Sequence, residues 1–268
     1  MEYQKFIPEG WQGTKEIFDK NILANAFENG NVLEGYVSAC DENYNLHIDL
    51  GNNLRGIIPR KEVDALGLDE NGFCKSTLCR NKVNTYVQFK VKEISDDNEE
   101  VILSRRNAQD EALNWVKNDL TPGMVLNGIV KNIRQFGVFV EIGGGMVGLL
   151  HIEDISISRM KSPEERFYIG QKINVMIKSI DRENGRVILS YKELLGNWDD
   201  NIKEFEEKMV VDGIIKESDK YKNGIFVELK PNLVGLAEYK EGFNYGQKVK
   251  VYIKKIIKDK KKIKLLII

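Results

Sequence analysis

Two phenylalanines three residues apart lie in the stretch Phe136-Gly137-Val138-Phe139-Val140-Glu141-Ile142. Its alternation fixes where each side chain points. Val138, Val140 and Ile142 share one parity and face a core, so Phe139 and Glu141 are expected to face outward. By the same reasoning Arg186 alternates with Val187 and Leu189 and stands on the solvent side. An exposed Phe beside a hydrophilic strand is costly unless something covers it. A nucleobase can cover it: stacking on an aromatic ring is worth about 1–3 kcal/mol and tolerates any base. Gly137 is expected to let the strand bulge so that both rings reach one surface. Arg186 and His151 can then bind phosphate or base edges. The competing reading has Phe136 and Phe139 merely covering a rim or an adjoining repeat, which leaves the exposed face without a ligand.

Other chemistries find little support. The two histidines, His47 and His151, are far apart in the chain, and Cys74 and Cys79 lack the paired spacing of a zinc site. P-loop, dinucleotide-fold and serine-elbow fingerprints are absent from the sequence. Gly143-Gly144-Gly145 is more simply a loop after a strand than a phosphate cradle. Asp181 and Glu183 have neither a nucleophile nor a metal set beside them. The expectation is a non-enzyme with no metal, no cofactor and no small-molecule substrate.

The elements that must position these residues recur along the chain. The middle unit runs Pro122-Gly123-Met124-Val125-Leu126-Asn127-Gly128-Ile129-Val130, then the phenylalanine stretch, then Gly148-Leu149-Leu150-His151. After a loop come Gly170-Gln171-Lys172-Ile173-Asn174-Val175 and Gly185-Arg186-Val187-Ile188-Leu189-Ser190. The same order of elements reappears before it, from Glu34-Gly35-Tyr36-Val37 to Val101-Ile102-Leu103-Ser104. It reappears after it, from Asp212-Gly213-Ile214-Ile215 to Lys262-Ile263-Lys264-Leu265. Within each unit the apolar period is two, so five short strands with glycine turns suit a small closed barrel. Helical spacing appears between units, at Ala108/Ala112/Trp115/Val116 and at Leu194/Leu195/Trp198/Ile202/Phe205. Trp11, Trp115 and Trp198 each precede a repeat and are expected to pack a connecting helix onto a barrel.

The repeat resembles the RNA-binding repeat of ribosomal protein S1, a five-stranded OB-fold barrel. The likeness runs from about residue 31 to the end and is strongest at Phe136-Gly137-Val138-Phe139, His151-Ile152 and Gly185-Arg186-Val187-Ile188-Leu189-Ser190. It implies an all-β chain of three tandem barrels with short helical connectors. An N-terminal helical segment is expected at 1–30, followed by repeats at 31–106, 120–192 and 209–268. It also implies a single-stranded RNA surface of two aromatics, a histidine, an aspartate and an arginine, here Phe136, Phe139, His151, Asp181 and Arg186. In the third unit Phe226 matches Phe139, while Asn223, Glu238 and Ile257 replace the first aromatic, the histidine and the aspartate. Tyr221 is the candidate for the missing ring, and Lys262 keeps the charge of Arg186. In the first unit Tyr44 and His47 take the aromatic positions, with Pro59, Ser95 and Glu100 at the other three.

Charge separates the units further. The 268-residue chain carries 40 basic and 41 acidic side chains, yet residues 28–106 sum to −4, residues 120–195 to +2 and residues 209–268 to +7. A polyanion is drawn to the C-terminal half. Lys248, Lys250, Lys254, Lys262 and Lys264 alternate with apolar residues and form an outward basic face, which either attracts phosphate or simply keeps a strand edge solvated. No apolar run reaches 18 residues, and the N-terminus lacks a secretion-signal pattern, so a cytoplasmic protein without a membrane partner is expected. The resemblance implies mRNA or rRNA as ligand, the small ribosomal subunit as partner, and a protein-binding role for residues 31–106. Two alternatives are a protein-interaction adaptor and an accessory subunit in RNA processing or decay.

Overall fold

The computed structural model describes residues 4–14, 16–52, 54–95, 100–219 and 224–268. Period-two burial builds its sheets: along Lys248–Ile257, for example, exposed Lys248 and Lys250 alternate with buried Val249 and Val251. The first barrel consists of β1 (Leu33–Cys40), β2 (Leu46–Asp49), β3 (Arg55–Ile58), β4 (Tyr86–Ile94) and β5 (Glu100–Ser104). The second has β6 (Val125–Arg134), β7 (Gly137–Gly143), β8 (Met146–His151), β9 (Lys172–Asp181) and β10 (Arg186–Ser190). The third has β11 (Val210–Asp219), β12 (Gly224–Lys230), β13 (Leu233–Glu238), β14 (Lys248–Ile257) and β15 (Lys262–Ile267). All three sheets close, as expected from the sequence. Closure leaves no sheet edge to aggregate. In each barrel the third and fifth strands run parallel, with Gly56 beside Val101, Ile188 beside Leu149 and Leu236 beside Lys264. The first and third barrels also repeat their irregularities, with register shifts in the first strand (Val37/Ala39, Ile215/Glu217) and in the fourth (Val91/Glu93, Ile253/Lys255). Such bulges give short strands the curvature that closure needs.

The chain divides into two compact units, one of Met1–Ile129, Val140–Gly148 and Ser179–Val187, the other of Val130–Phe139, Leu149–Lys178 and Ile188–Ile268. In the first unit, helix among the described residues ahead of the first barrel is confined to α1 (Lys20–Asn29), capped by the Asp19 carboxylate and ended by Gly30 at φ 64°. Residues 4–14 form an irregular strap instead of more helix, because Pro8 and the left-handed Gly10 and Gly13 break it. Trp11 accordingly sits in a turn, its N–H donating to the Pro8 carbonyl at 3.0 Å, and not on a connecting helix. α2 (Ser76–Arg80) is a short turn within the long β3–β4 connection. α3 (Arg105–Asn118) buries Ala108, Ala112, Trp115 and Val116, as their spacing requires, and Trp115 meets Phe6 of the strap at 5.5 Å.

Buried charge holds the strap. The Arg105 guanidinium, 2% exposed, donates from Nε to Glu9 Oε1 at 2.7 Å and from Nη1 to Asp64 Oδ2 at 2.9 Å. Glu9 also accepts from the Gln88 N–H at 3.0 Å, and its own N–H donates to Glu141 Oε1 at 2.7 Å. Burial pushes the Glu9 carboxyl up, but Arg105 and Lys82 outweigh it and hold the pKa well below the ordinary range. Glu141 departs from its expected exposure: it does point away from the barrel core, but the strap covers that side and leaves it 2% exposed. Gly143, Gly144 and Gly145 form the β7–β8 turn with positive φ throughout. A Cβ there would meet Phe6 O, Ala112 Cβ and Arg105 Nη2 at 2.2, 2.3 and 2.4 Å, so the glycines admit the strap and α3.

In the second unit, the connector expected to be one helix is a 3₁₀ turn at Lys192–Leu195, α4 (Trp198–Asn201) and a 3₁₀ turn at Ile202–Glu204. Gly196, at φ 76° and ψ 155°, interrupts it, and the Asn201 side chain caps the broken carbonyls of Leu195 and Gly196. Trp198 and Ile202 still enter the core of the third barrel. The excursion 152–171 between β8 and β9 is fastened to that barrel by Arg166–Glu228, by Lys216 to Glu165 at 2.9 Å, and by Asn232, which accepts from the Ile157 N–H at 3.0 Å.

Candidate nucleic-acid interface

Phe136 immediately precedes β7. Its carbonyl accepts from the Ile152 N–H at 2.9 Å, while a Cβ on Gly137 would lie 2.5 Å from Leu150 O and 3.1 Å from His151 Cα. Gly137 is therefore required by close backbone approach, a different necessity from the bulge expected of it. This pinch fixes Phe136 beside His151. The two rings, Phe136 and Phe139, meet edge to face at 6.0 Å and 86°. Phe136 is 50% exposed and Phe139 is half-buried, so each keeps π surface for a further ring. His151 Nδ1 accepts from the Glu153 N–H at 3.4 Å as the cap of the turn Ile152–Asp154. In the neutral ring this assigns the proton to Nε2, which is then a donor. Asp154, the last residue of this turn, is held by Lys178 and Lys192, both at 2.7 Å.

Asp181 and Arg186 belong to the β9–β10 hairpin in the first unit and are exposed. The Asp181 carboxylate accepts from the Asn184 side chain at 2.7 Å and from its N–H at 3.2 Å. Those hydrogen bonds, with the attraction of Arg186, hold its pKa below the ordinary range. Asp181 thus closes the turn that carries Arg186. Lys117 clamps the turn by donating to Glu183 O at 2.9 Å, and Arg182 does so by donating to Leu120 O at 3.1 Å.

In the third barrel Phe226 is half-buried on β12, across from Leu236 and Glu217. Lys262 opens β15 opposite Ile257 and is exposed. Tyr221, like Asn223, lies outside the described residues. Lys248, Lys250, Lys254, Lys262 and Lys264 all face outward, with Lys254 3.4 Å from Glu238.

The first barrel treats its corresponding ring differently. Arg60 and Arg80 stand 5.0 and 5.1 Å from the Tyr44 ring centroid, and Arg80 donates to the Tyr44 hydroxyl at 3.3 Å. Arg60 is itself anchored to Asp69 at 2.8 Å. The chain's own guanidiniums occupy the stacking surface that is open at Phe136. Sequence reasoning missed these arginines, because nothing in their spacing ties the long β3–β4 connection to Tyr44. Among the described residues no cluster of three or more His, Cys, Asp or Glu side chains is able to hold a metal ion. Cys74 and Cys79 are buried thiols, and burial pushes the Cys74 pKa up to about 12. No helix of the described residues is long and apolar enough to cross a membrane.

The family described as S1 RNA binding domain matches residues 26–106 and 119–192. The chain belongs to that family. The small ribosomal subunit protein bS1 of Staphylococcus aureus strain COL is 32% identical over 227 residues, covering 82% of this chain and 54% of the relative. Its counterpart from Staphylococcus saprophyticus is 40% identical over 162 residues, covering 58% and 40%. The chain thus spans about half the length of these S1 relatives. Among solved structures, GSP13 from Bacillus subtilis is 25% identical and covers 39% of this chain and 68% of that one, with a TM-score of 0.28.

Proposed function

We propose that this S1-family chain is a non-catalytic, cytoplasmic single-stranded RNA-binding protein acting in translation, with mRNA or rRNA as ligand and the small ribosomal subunit as partner. The observation that carries this reading is the pinned pair Phe136 and Phe139 beside His151, aromatic surface held open next to a ring donor. Bases stack on the rings, and His151 Nε2 binds a base edge or phosphate. Arg186, on its separately anchored hairpin, contributes a phosphate contact, and Asp181 serves by closing the turn beneath it. Phe226 and Lys262, with Tyr221, form the weaker site of the third repeat. The functional division follows the repeats: RNA recognition in 120–192, basic support in 209–268, and protein contact in 31–106 behind the segment 1–30.

The covered Tyr44 ring favours a protein-docking role for the first repeat, because a base stacking there must first displace two guanidiniums. Photocrosslinking with a 5-bromouridine-substituted single-stranded RNA tests the assignment. Crosslinked peptides containing Phe136, Phe139 or His151, competed by single-stranded and not by double-stranded RNA, are expected. Crosslinks confined to the first repeat would overturn it.

A further inference from the structure

Beside the third barrel, the excursion that leaves β8 bounds a cleft of about 690 Å³ whose lining includes Arg159, Met160, Lys161, Glu217, Tyr239 and Phe243. Its volume falls within the range of about 300–1,000 Å³ typical of small-ligand sites, enough for a nucleotide. Its chemistry is also of that kind. Tyr239 and Phe243 are half-buried, packed against the third core on one side and turned to the cleft on the other. Arg159 is 2.9 Å from Glu217 with 70% of its side chain exposed, so solvent screens that pair and a phosphate can compete for the guanidinium. Lys161 lies 4.4 Å from the Tyr245 ring centroid, and its N–H donates to the Tyr245 hydroxyl at 3.0 Å. Tyr245 in turn donates to Glu165 at 2.5 Å, which roots this wall in the ion pairs of Lys216. The cleft is thus a fixed structure lined by three rings and two exposed cations, with one carboxylate opposing them.

We infer that this cleft binds a nucleoside phosphate, the base against Tyr239 and Phe243 and the phosphate on Arg159 and Lys161. Resting on the RNA reading above, the cleft takes a nucleotide of the same strand that stacks on Phe136 and Phe139. Arg159 follows His151 by eight residues on one excursion, so their Cα atoms are at most about 29 Å apart even if that chain were fully extended. One strand can therefore engage both places. Such a site differs from the barrel surface of Phe226 and Lys262, because Arg159, Met160 and Lys161 of its wall come from the preceding repeat.

Length-dependent affinity tests the inference, with the full chain, a tetranucleotide and a 16-mer spanning the usual range of about 4–16 nucleotides per OB fold. Arg159→Glu is expected to leave the tetranucleotide affinity unchanged and to weaken the 16-mer about tenfold, the loss of one charge-assisted contact. Glu217→Gln, which frees Arg159 from its competing carboxylate, is expected to tighten the 16-mer. Opposite responses from two surface substitutions are not the signature of a folding defect. A 16-mer affinity unmoved by both variants, yet still dependent on Phe136 and Phe139, would overturn the cleft and leave the RNA reading intact. Failure of the unaltered protein to bind either oligonucleotide would overturn both. Uridine monophosphate supplies the remaining arm: binding abolished by Arg159→Glu, with no effect on the 16-mer, would assign the cleft to a free nucleotide and overturn its role in RNA.

Discussion

Half of Phe136 is open to solvent while its carbonyl is tied to Ile152, so the ring presents a surface without supporting the core. Phe136→Ala is therefore expected to lower single-stranded RNA affinity by about 1–3 kcal/mol, five- to 150-fold, with the melting temperature nearly unchanged. Gly137 has the opposite character. Gly137→Ala forces a methyl toward Leu150 O and is expected to cost about 1–3 kcal/mol of stability, read as a lowered melting temperature. The outward parity of Phe139 and Arg186 was legible in the alternation, and so was the inward set Val138, Val140 and Ile142. The fate of Glu141 was not: parity tells which side of a strand a residue occupies, and only tertiary packing tells whether that side is wet. The local contacts of Asp181 and Gly137 were not legible for a similar reason. Each acts through a local backbone contact that residue type alone does not announce.

At the scale of elements, the strap and α3 depend on one buried guanidinium. Arg105→Met strands Glu9 and Asp64 without their main counter-charge and is expected to cost about 3–5 kcal/mol, measured by chemical denaturation. The same pair makes the first unit acid-sensitive. Because the folded pKa of Glu9 lies below its ordinary value of 4.5, its stabilisation is complete above about pH 4.5 and is lost as pH falls toward the folded value. Glu9→Gln should destabilise the protein at neutral pH and flatten the acid limb of a stability–pH profile. An unchanged acid limb would contradict the assignment. Glu9 and Arg105 are 96 residues apart, and no periodicity links them. The strands were readable because their pattern is local; the strap was not, because polar side chains at long separation hold it. The connector after β10 was misread for a local reason: helical spacing at Leu194, Trp198 and Ile202 survives across turns that Gly196 separates.

Over the whole molecule, three closed barrels share one topology but not one surface. At the position of Phe136, the first barrel has Tyr44 covered by guanidiniums and the second has an open ring, while the third has Asn223 there and sets Phe226, the counterpart of Phe139, among outward lysines. Repetition was visible in the sequence because each barrel needs the same glycines and alternating strands. The difference in function between repeats rests on arginines from long connections and on the −4 to +7 charge gradient. Reversing charge in the first repeat, as in Arg80→Glu, is expected to leave RNA affinity within about twofold, since that exposed side chain already covers Tyr44. The most direct measurement is a fluorescence-anisotropy titration of labelled single-stranded RNA at several salt concentrations, comparing the intact chain with Phe136→Ala/Phe139→Ala. Binding that weakens with salt, by about 0.7 in log–log slope for each phosphate contact, and that collapses in the double variant is the predicted result. Equal binding by the two proteins, or none by the intact chain, would contradict the account.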